Sequence, residues 1–148
     1  MDTNLGSQIV GLFTATFGNG TTKVLFVINT VTADLYWMDT DGTNITLLSN
    51  NVGGSNQRYY FAMFNDLVIL GGSTNTSING SLFKVDSSGT VTTLFSAFTS
   101  PFPTGSQTVV WNSRLWTFGT IDSGTINTIS GSKINDPTDF VLDGTDSG

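Results

Sequence analysis

Asp39, Asp41 and Asn44, in the run DTDGTN, crowd oxygen ligands in the manner of a calcium loop. The pattern then departs from one: the glycine comes too early for an EF-hand loop and no Glu follows at the bidentate position, so the run reads as a hairpin turn. A second acidic group, Asp136, Asp139, Asp143 and Asp146, lies near the end of the chain. Paired carboxylates do general acid and base work when held a few ångströms apart. Nothing in the pattern around these four fixes them about a cleft, and they read as a solvated rim. Trp37, Trp111 and Trp116 have the flat faces that stack on a sugar or a base, but their alternation within apolar runs favours packing between sheets. Gly53-Gly54 and Gly71-Gly72 precede no helix whose N-terminus would receive a phosphate, so they serve turns or strand ends.

The chain has no His and no Cys, which removes imidazole and thiolate nucleophiles, bases and metal ligands together. No catalytic, cofactor-binding or metal-ligating residue is assigned, and neither an enzymatic activity nor a cofactor is expected. With five Lys and Arg against eleven Asp and Glu, a net charge of −6 argues against a surface made to grip nucleic acid. Charged residues make up only 11% while hydrophobic ones reach 38%, the balance of a folding chain and not of a disordered one. At 148 residues it is long enough for one domain with a real core. No apolar run approaches the length of a membrane span, and no membrane partner is expected. Four Asn-x-Ser/Thr sequons, at Asn19, Asn44, Asn75 and Asn79, carry little weight in a chain so rich in Asn, Ser and Thr.

What positions these residues is a repeat. LYWMDTDGTNITLLS, 35–49, returns at 82–96 as LFKVDSSGTVTTLFS, with Leu35 and Leu82, Asp39 and Asp86, Gly42 and Gly89, and Leu47 and Leu94 each 47 residues apart. A period of roughly 40–50 residues is that of a four-stranded propeller blade. Around it the chain reads as hairpins: 9–17 and 21–29 about Gly18-Asn19-Gly20, then 33–39 and 43–49 about Asp41-Gly42, a pair suited to a primed two-residue turn. Residues 50–58 read as a connection. The second unit pairs 58–64 with 67–72 about Asn65-Asp66, and 81–86 with 90–98 about Ser87-Ser88-Gly89. In the third, 107–111 turns at Asn112-Ser113 into 114–120, aligned so that Leu67 meets Leu115 and Gly71 meets Gly119, each 48 apart; 125–134 and 139–144 complete it.

No window carries helical periodicity. The expected fold is all-β and propeller-like: a single domain over 1–148 with about three four-stranded antiparallel blades near 9–49, 58–98 and 107–144. Leu35, Leu47, Leu67, Leu82, Leu94 and Leu115 are expected in the sheet cores. Propellers close with about four to eight blades, so three call for more chain, for further copies of this one, or for an open stack. The ending DGTDSG, with no capping strand, favours more chain.

Three stretches together resemble a family, the β-propeller neck and tail proteins of short-tailed bacteriophages, which include packaged-DNA stabilisation and tail tubular or nozzle proteins. Residues 11–43 are similar to its opening blade, and YYFAMFNDLVILGG, 59–72, to its aromatic strand, turn and following strand. SRLWTFGT, 113–120, followed by SGSKINDPTDF, 130–140, resembles its hairpin, Ser-rich strand and D-P-x-x-aromatic step, with Asp136, Pro137 and Phe140 at that step. The resemblance implies a structural virion component of the tail or neck, a homo-oligomer meeting other tail or portal-proximal proteins, whose wall lets packaged DNA pass without specific binding. It implies no catalytic residues. A carbohydrate-binding propeller, with Trp and Tyr as stacking platforms, is the alternative from another functional class.

Overall fold

The run KVLFVI inside Thr22–Asn29 has almost no polar side to offer solvent, the signature of a strand covered on both faces. The computed structural model describes residues 8–29, 31–53, 58–72, 82–95, 107–122 and 125–138, and these form eleven strands and no helix. The first sheet holds β1 (Gln8–Thr16), β2 (Thr22–Asn29), β3 (Ala33–Met38) and β4 (Thr46–Gly53) in chain order. The second holds β5 (Tyr59–Phe64), β6 (Leu67–Gly72), β7 (Leu82–Val85) and β8 (Val91–Phe95), again in order. In the third, β10 (Arg114–Asp122) lies between β9 (Gln107–Trp111) and β11 (Thr125–Gly131). All pairings are antiparallel. The stretch 139–144, expected as a further strand, lies outside the described residues.

The sheets stack face to face, the second in the middle. One of its sides, with Val68, Leu70 and Val85, packs on Leu25, Val27 and Leu35 of the first sheet. The other, with Phe64, Ile69 and Leu82, packs on Leu115 of the third. Each such side chain, fully buried, contributes roughly 1.5–3 kcal/mol. β1 lies against β5, and β5 against β9, so the first strands of successive sheets are neighbours. Their approach is closest at Gly11, where an added Cβ would sit 2.8 Å from Tyr59 Cβ and 3.0 Å from the Tyr59 carbonyl oxygen. A polar tie joins the same sheets at their turns, where the Gly18 amide donates to Asp66 Oδ1 at 2.5 Å.

Three loops share one geometry. In 17–21, 39–43 and 86–90 the first amide donates to the carbonyl of the fifth residue, and the fourth residue, Gly20, Gly42 or Gly89, has φ of +84°, +83° or +84°. This is a three-residue loop closed by a left-handed glycine, not the primed two-residue turn that Asp41-Gly42 suggests, because Asp41 does not adopt positive φ. Both central residues of a two-residue turn have positive φ only at Asn112-Ser113, among the described residues.

Leu35, Leu82 and Leu115 are fully buried, with Leu67 and Leu94 partly buried against the core, but Leu47 is exposed. The cause is a one-residue slip between the repeats. In the second sheet Leu82 pairs with Phe95 and Phe83 with Thr93, so Leu94 is the extra residue of the bulge. In the first, Leu35 pairs with Ser49 and Tyr36 with Leu47, so Leu48 takes that place and packs inward. Asn44, at φ +53°, absorbs the additional residue before β4, and a slip of one exchanges faces. β4 also runs on to Gly53, which pairs with Ala33, through residues expected to form a connection. A second slip concerns the third unit. Phe64 opposite Leu67 corresponds to Trp111 opposite Arg114, each across a two-residue turn, so the counterpart of Leu115 is Val68, 47 residues earlier, and not Leu67.

Two features of these interfaces have testable consequences. Thr108 and Thr117 are cross-strand partners on the side of the third sheet that faces the second, and neither buried hydroxyl reaches a partner. An unpaired buried hydroxyl costs about 1–3 kcal/mol. Replacing both by Val, similar in shape, should therefore raise the urea midpoint without lowering the slope. Burial pushes the Tyr59 phenol up to about 12. Its neutral form is thus favoured by folding, and that stability is complete below the ordinary pKa of 10.0 and is lost as pH rises through 12. Tyr59→Phe should flatten the loss of thermal stability in that alkaline window.

Candidate functional site

Asp39 and Asp41 lie together in the loop between β3 and β4, as DTDGTN suggests, but their oxygens are already engaged. Lys23 Nζ donates to Asp39 Oδ1 at 2.5 Å and Asn44 Nδ2 to Asp39 Oδ2 at 2.5 Å. Those two donors, Lys23 foremost, hold the Asp39 carboxyl below the usual range. Lys23 Nζ also sits 5.2 Å from the centre of the Trp37 ring, a cation–π contact. Asp41 Oδ1 accepts from the Thr43 amide at 2.9 Å and from its hydroxyl at 2.7 Å, which lowers its pKa too. In the matching loop of the second sheet Asp86 Oδ1 takes the Ser88 amide and hydroxyl and the Thr90 amide, and Ser88 foremost lowers its pKa. These carboxylates fasten hairpins. Among the described residues no group of three or more acidic side chains is gathered to hold a metal ion.

Of the C-terminal aspartates, Asp136 accepts from the Thr138 amide at 2.9 Å and hydroxyl at 2.5 Å, fixing the step around buried Pro137. Asp139, Asp143 and Asp146, and Phe140 of the same step, lie outside the described residues. Just upstream, buried Ser132 extends the third sheet: its hydroxyl accepts from the Leu115 amide and donates to the Lys133 carbonyl, each at 2.9 Å. Arg114 Nη1 donates to the Ser132 carbonyl at 2.9 Å. Asn19, in a sequon, uses its side-chain oxygen to accept from the Thr21 amide at 2.9 Å.

The tryptophans divide. Trp37 packs between sheets, its ring against Gly89 in the second, where an added Cβ would meet Trp37 Cζ2 at 2.7 Å. Trp111 and Trp116 instead lie on the side of the third sheet turned away from the second. Their rings are 6.4 Å apart and tilted by 49°, and Trp116 Nε1 donates to the Trp111 carbonyl at 3.2 Å. Trp111 is exposed, as are Val109 and Ile129 on the same side.

At the other end of the stack the outward side of the first sheet is also apolar. Leu12, Phe26 and Tyr36 form one cross-strand row, with Phe26 and Tyr36 stacked at 5.6 Å, and Ile9 lies opposite Ile28 in another. Ile9, Leu12 and Leu47 are exposed there, whereas Phe26 and Ile28 are buried. These two end surfaces are what the arrangement offers for recognition; the sequence points to Trp111 and Trp116 on one of them but not to the outward side of the first sheet. The signal was present in β2, whose unbroken apolar run requires cover on both sides. Among the described residues no helix is long and apolar enough to cross a membrane. Comparison with known proteins finds no matching family model, no matching curated protein and no matching solved structure.

Proposed function

We propose that the chain is a structural component of the tail or neck of a short-tailed bacteriophage, its sheets acting as propeller blades that form part of the wall of the DNA channel. The observation that carries this reading is the serial stack in which β1, β5 and β9 are neighbours, as the innermost strands of consecutive blades are. Together with the resemblance in sequence, it supports the reading of a protein that works by packing and assembly, with copies of itself and with other tail or portal-proximal proteins, and not by catalysis. A net charge of −6 suits a channel wall, since it repels phosphates and lets a duplex slide. The test is immunogold electron microscopy of virions with antibodies raised against the chain, with mass spectrometry of the purified particles. Labelling at the tail or neck is the expected result; absence of the chain from particles overturns the assignment.

One observation favours a second reading, a carbohydrate-binding propeller of a cell surface or tail fibre: the exposed Trp111 beside Trp116 is a platform on which a sugar ring can stack. Binding on a glycan array that disappears in Trp111→Ala supports it, and an array without signal removes it.

A further inference from the structure

The two end surfaces of the stack repeat surfaces that are already mated within it. On the first sheet the outward row Leu12, Phe26, Tyr36 occupies the place that Phe61, Leu70, Phe83 occupies on the second, and that second row is packed against the first sheet. On the third sheet the outward row Val109, Trp116, Gly131 occupies the place of Ala62, Ile69, Lys84, on the side of the second sheet that packs against the third. Positions that are hidden inside the stack are in part uncovered at its ends, at Ile9, Leu12 and Leu47 on the first sheet and at Val109 and Trp111 on the third, while Phe26 and Ile28 are buried. Tyr59 is 5% exposed, while its counterpart Ile9 is 56% exposed. Phe64 is 1% exposed, and its counterpart Trp111 67%.

From this equivalence we infer that the occupant of each end surface is a second copy of this chain, seated head to tail. The Trp111 side of one copy packs on the Leu12 side of the other, as the second sheet packs on the first. A contact between unlike surfaces either closes into a ring or runs on as a filament. With three described sheets each, two copies supply six, inside the range of about four to eight over which blades close a ring, whereas three copies supply nine and exceed it. The assembly is therefore a closed pair with two identical unlike-surface contacts, not an isologous pair in which Leu12 meets Leu12. This inference rests on the blade reading of the sheets given above.

The experiment is native mass spectrometry of the purified chain, of Leu12→Asp and of Trp111→Asp, with small-angle scattering on each. Both positions are exposed, so the variants keep the stack, and circular dichroism checks that they do. The expected result is a species of twice 15.7 kDa for the unaltered chain and its loss in each variant. Mixing the two variants restores a pair, because one contact then joins two intact surfaces. An unaltered chain that is monomeric overturns the inference, as does a pair that survives Trp111→Asp or a mixture that stays monomeric. A monomer whose scattering fits three stacked sheets overturns the pairing alone, whereas scattering that no stack fits overturns the blade reading with it.

Discussion

Leu35→Ala lowers the free energy of unfolding by about 2–5 kcal/mol, and Leu47→Ala by no more than about 0.5 kcal/mol, in urea titrations followed by tryptophan fluorescence. The contrast is the point, since both leucines belong to the repeated motif and both are expected in the core from the sequence. Leu35 is sealed between the first two sheets, among Leu25, Val27, Val68 and Leu70. Truncation there removes apolar burial and leaves a cavity that surrounding β-structure fills only in part. Leu47 stands on the outward side of the first sheet because of the slip at Tyr36. Equal losses at the two positions would show that the slip is absent and that Leu47, not Leu48, points inward.

Gly11→Ala destabilises by about 1–3 kcal/mol, the range for overpacking a filled site, although alanine within a strand is ordinarily the better residue. The reason is the pressing of β1 on β5. The new methyl would overlap Tyr59 Cβ at 2.8 Å and the Tyr59 carbonyl oxygen at 3.0 Å, neither of which can rotate away. Phe61 Cε2, also at 3.0 Å, belongs to a side chain that can move. Trimming Phe61 to Leu therefore does not rescue Gly11→Ala, which separates a backbone clash from a crowded ring. A neutral Gly11→Ala in thermal and urea melts would mean that the two first strands stand further apart than described.

Strand positions were largely readable because each is a run of β-branched and aromatic residues cut off by Gly, Asn or Asp. Residues 67–72 and 107–111 are strands with the expected bounds, and the 47-residue repeat reappears as the hairpins β3–β4 and β7–β8, one residue apart in register. Register was not readable. Nothing in NITLLS against VTTLFS reveals that Asn44 adopts a left-handed conformation and moves Leu47 to the other face, because the cost of that conformation is small for Asn and depends on what the strand packs against. The same blindness to register aligned Leu67 with Leu115, which lie on opposite sides of their sheets. Asp39 and Asp41 were readable as turn residues from DG, whereas Asp136, read as part of a solvated rim, instead holds the Thr138 amide and hydroxyl. The partners of Asp39 were not readable, since Lys23 comes from the neighbouring strand. The end surfaces are not legible as such, and Trp111 and Trp116 read as packing between sheets, because apolar outward residues look the same in a sequence as apolar core residues; only the stacking order separates them.

Among the described residues every ladder joins strands that are consecutive in the chain. Each sheet is thus a self-contained meander, and a sheet meets its neighbour chiefly through side chains. Stability in such an array is approximately a sum of contributions from each unit and from each junction between adjacent units. A gene encoding it can gain or lose one unit by duplication or deletion without tearing any ladder, and only the two newly apposed surfaces must then agree. The Asp, Gly and Thr that the loops at 39–43 and 86–90 hold in common, in one geometry, are the kind of trace that such copying leaves behind.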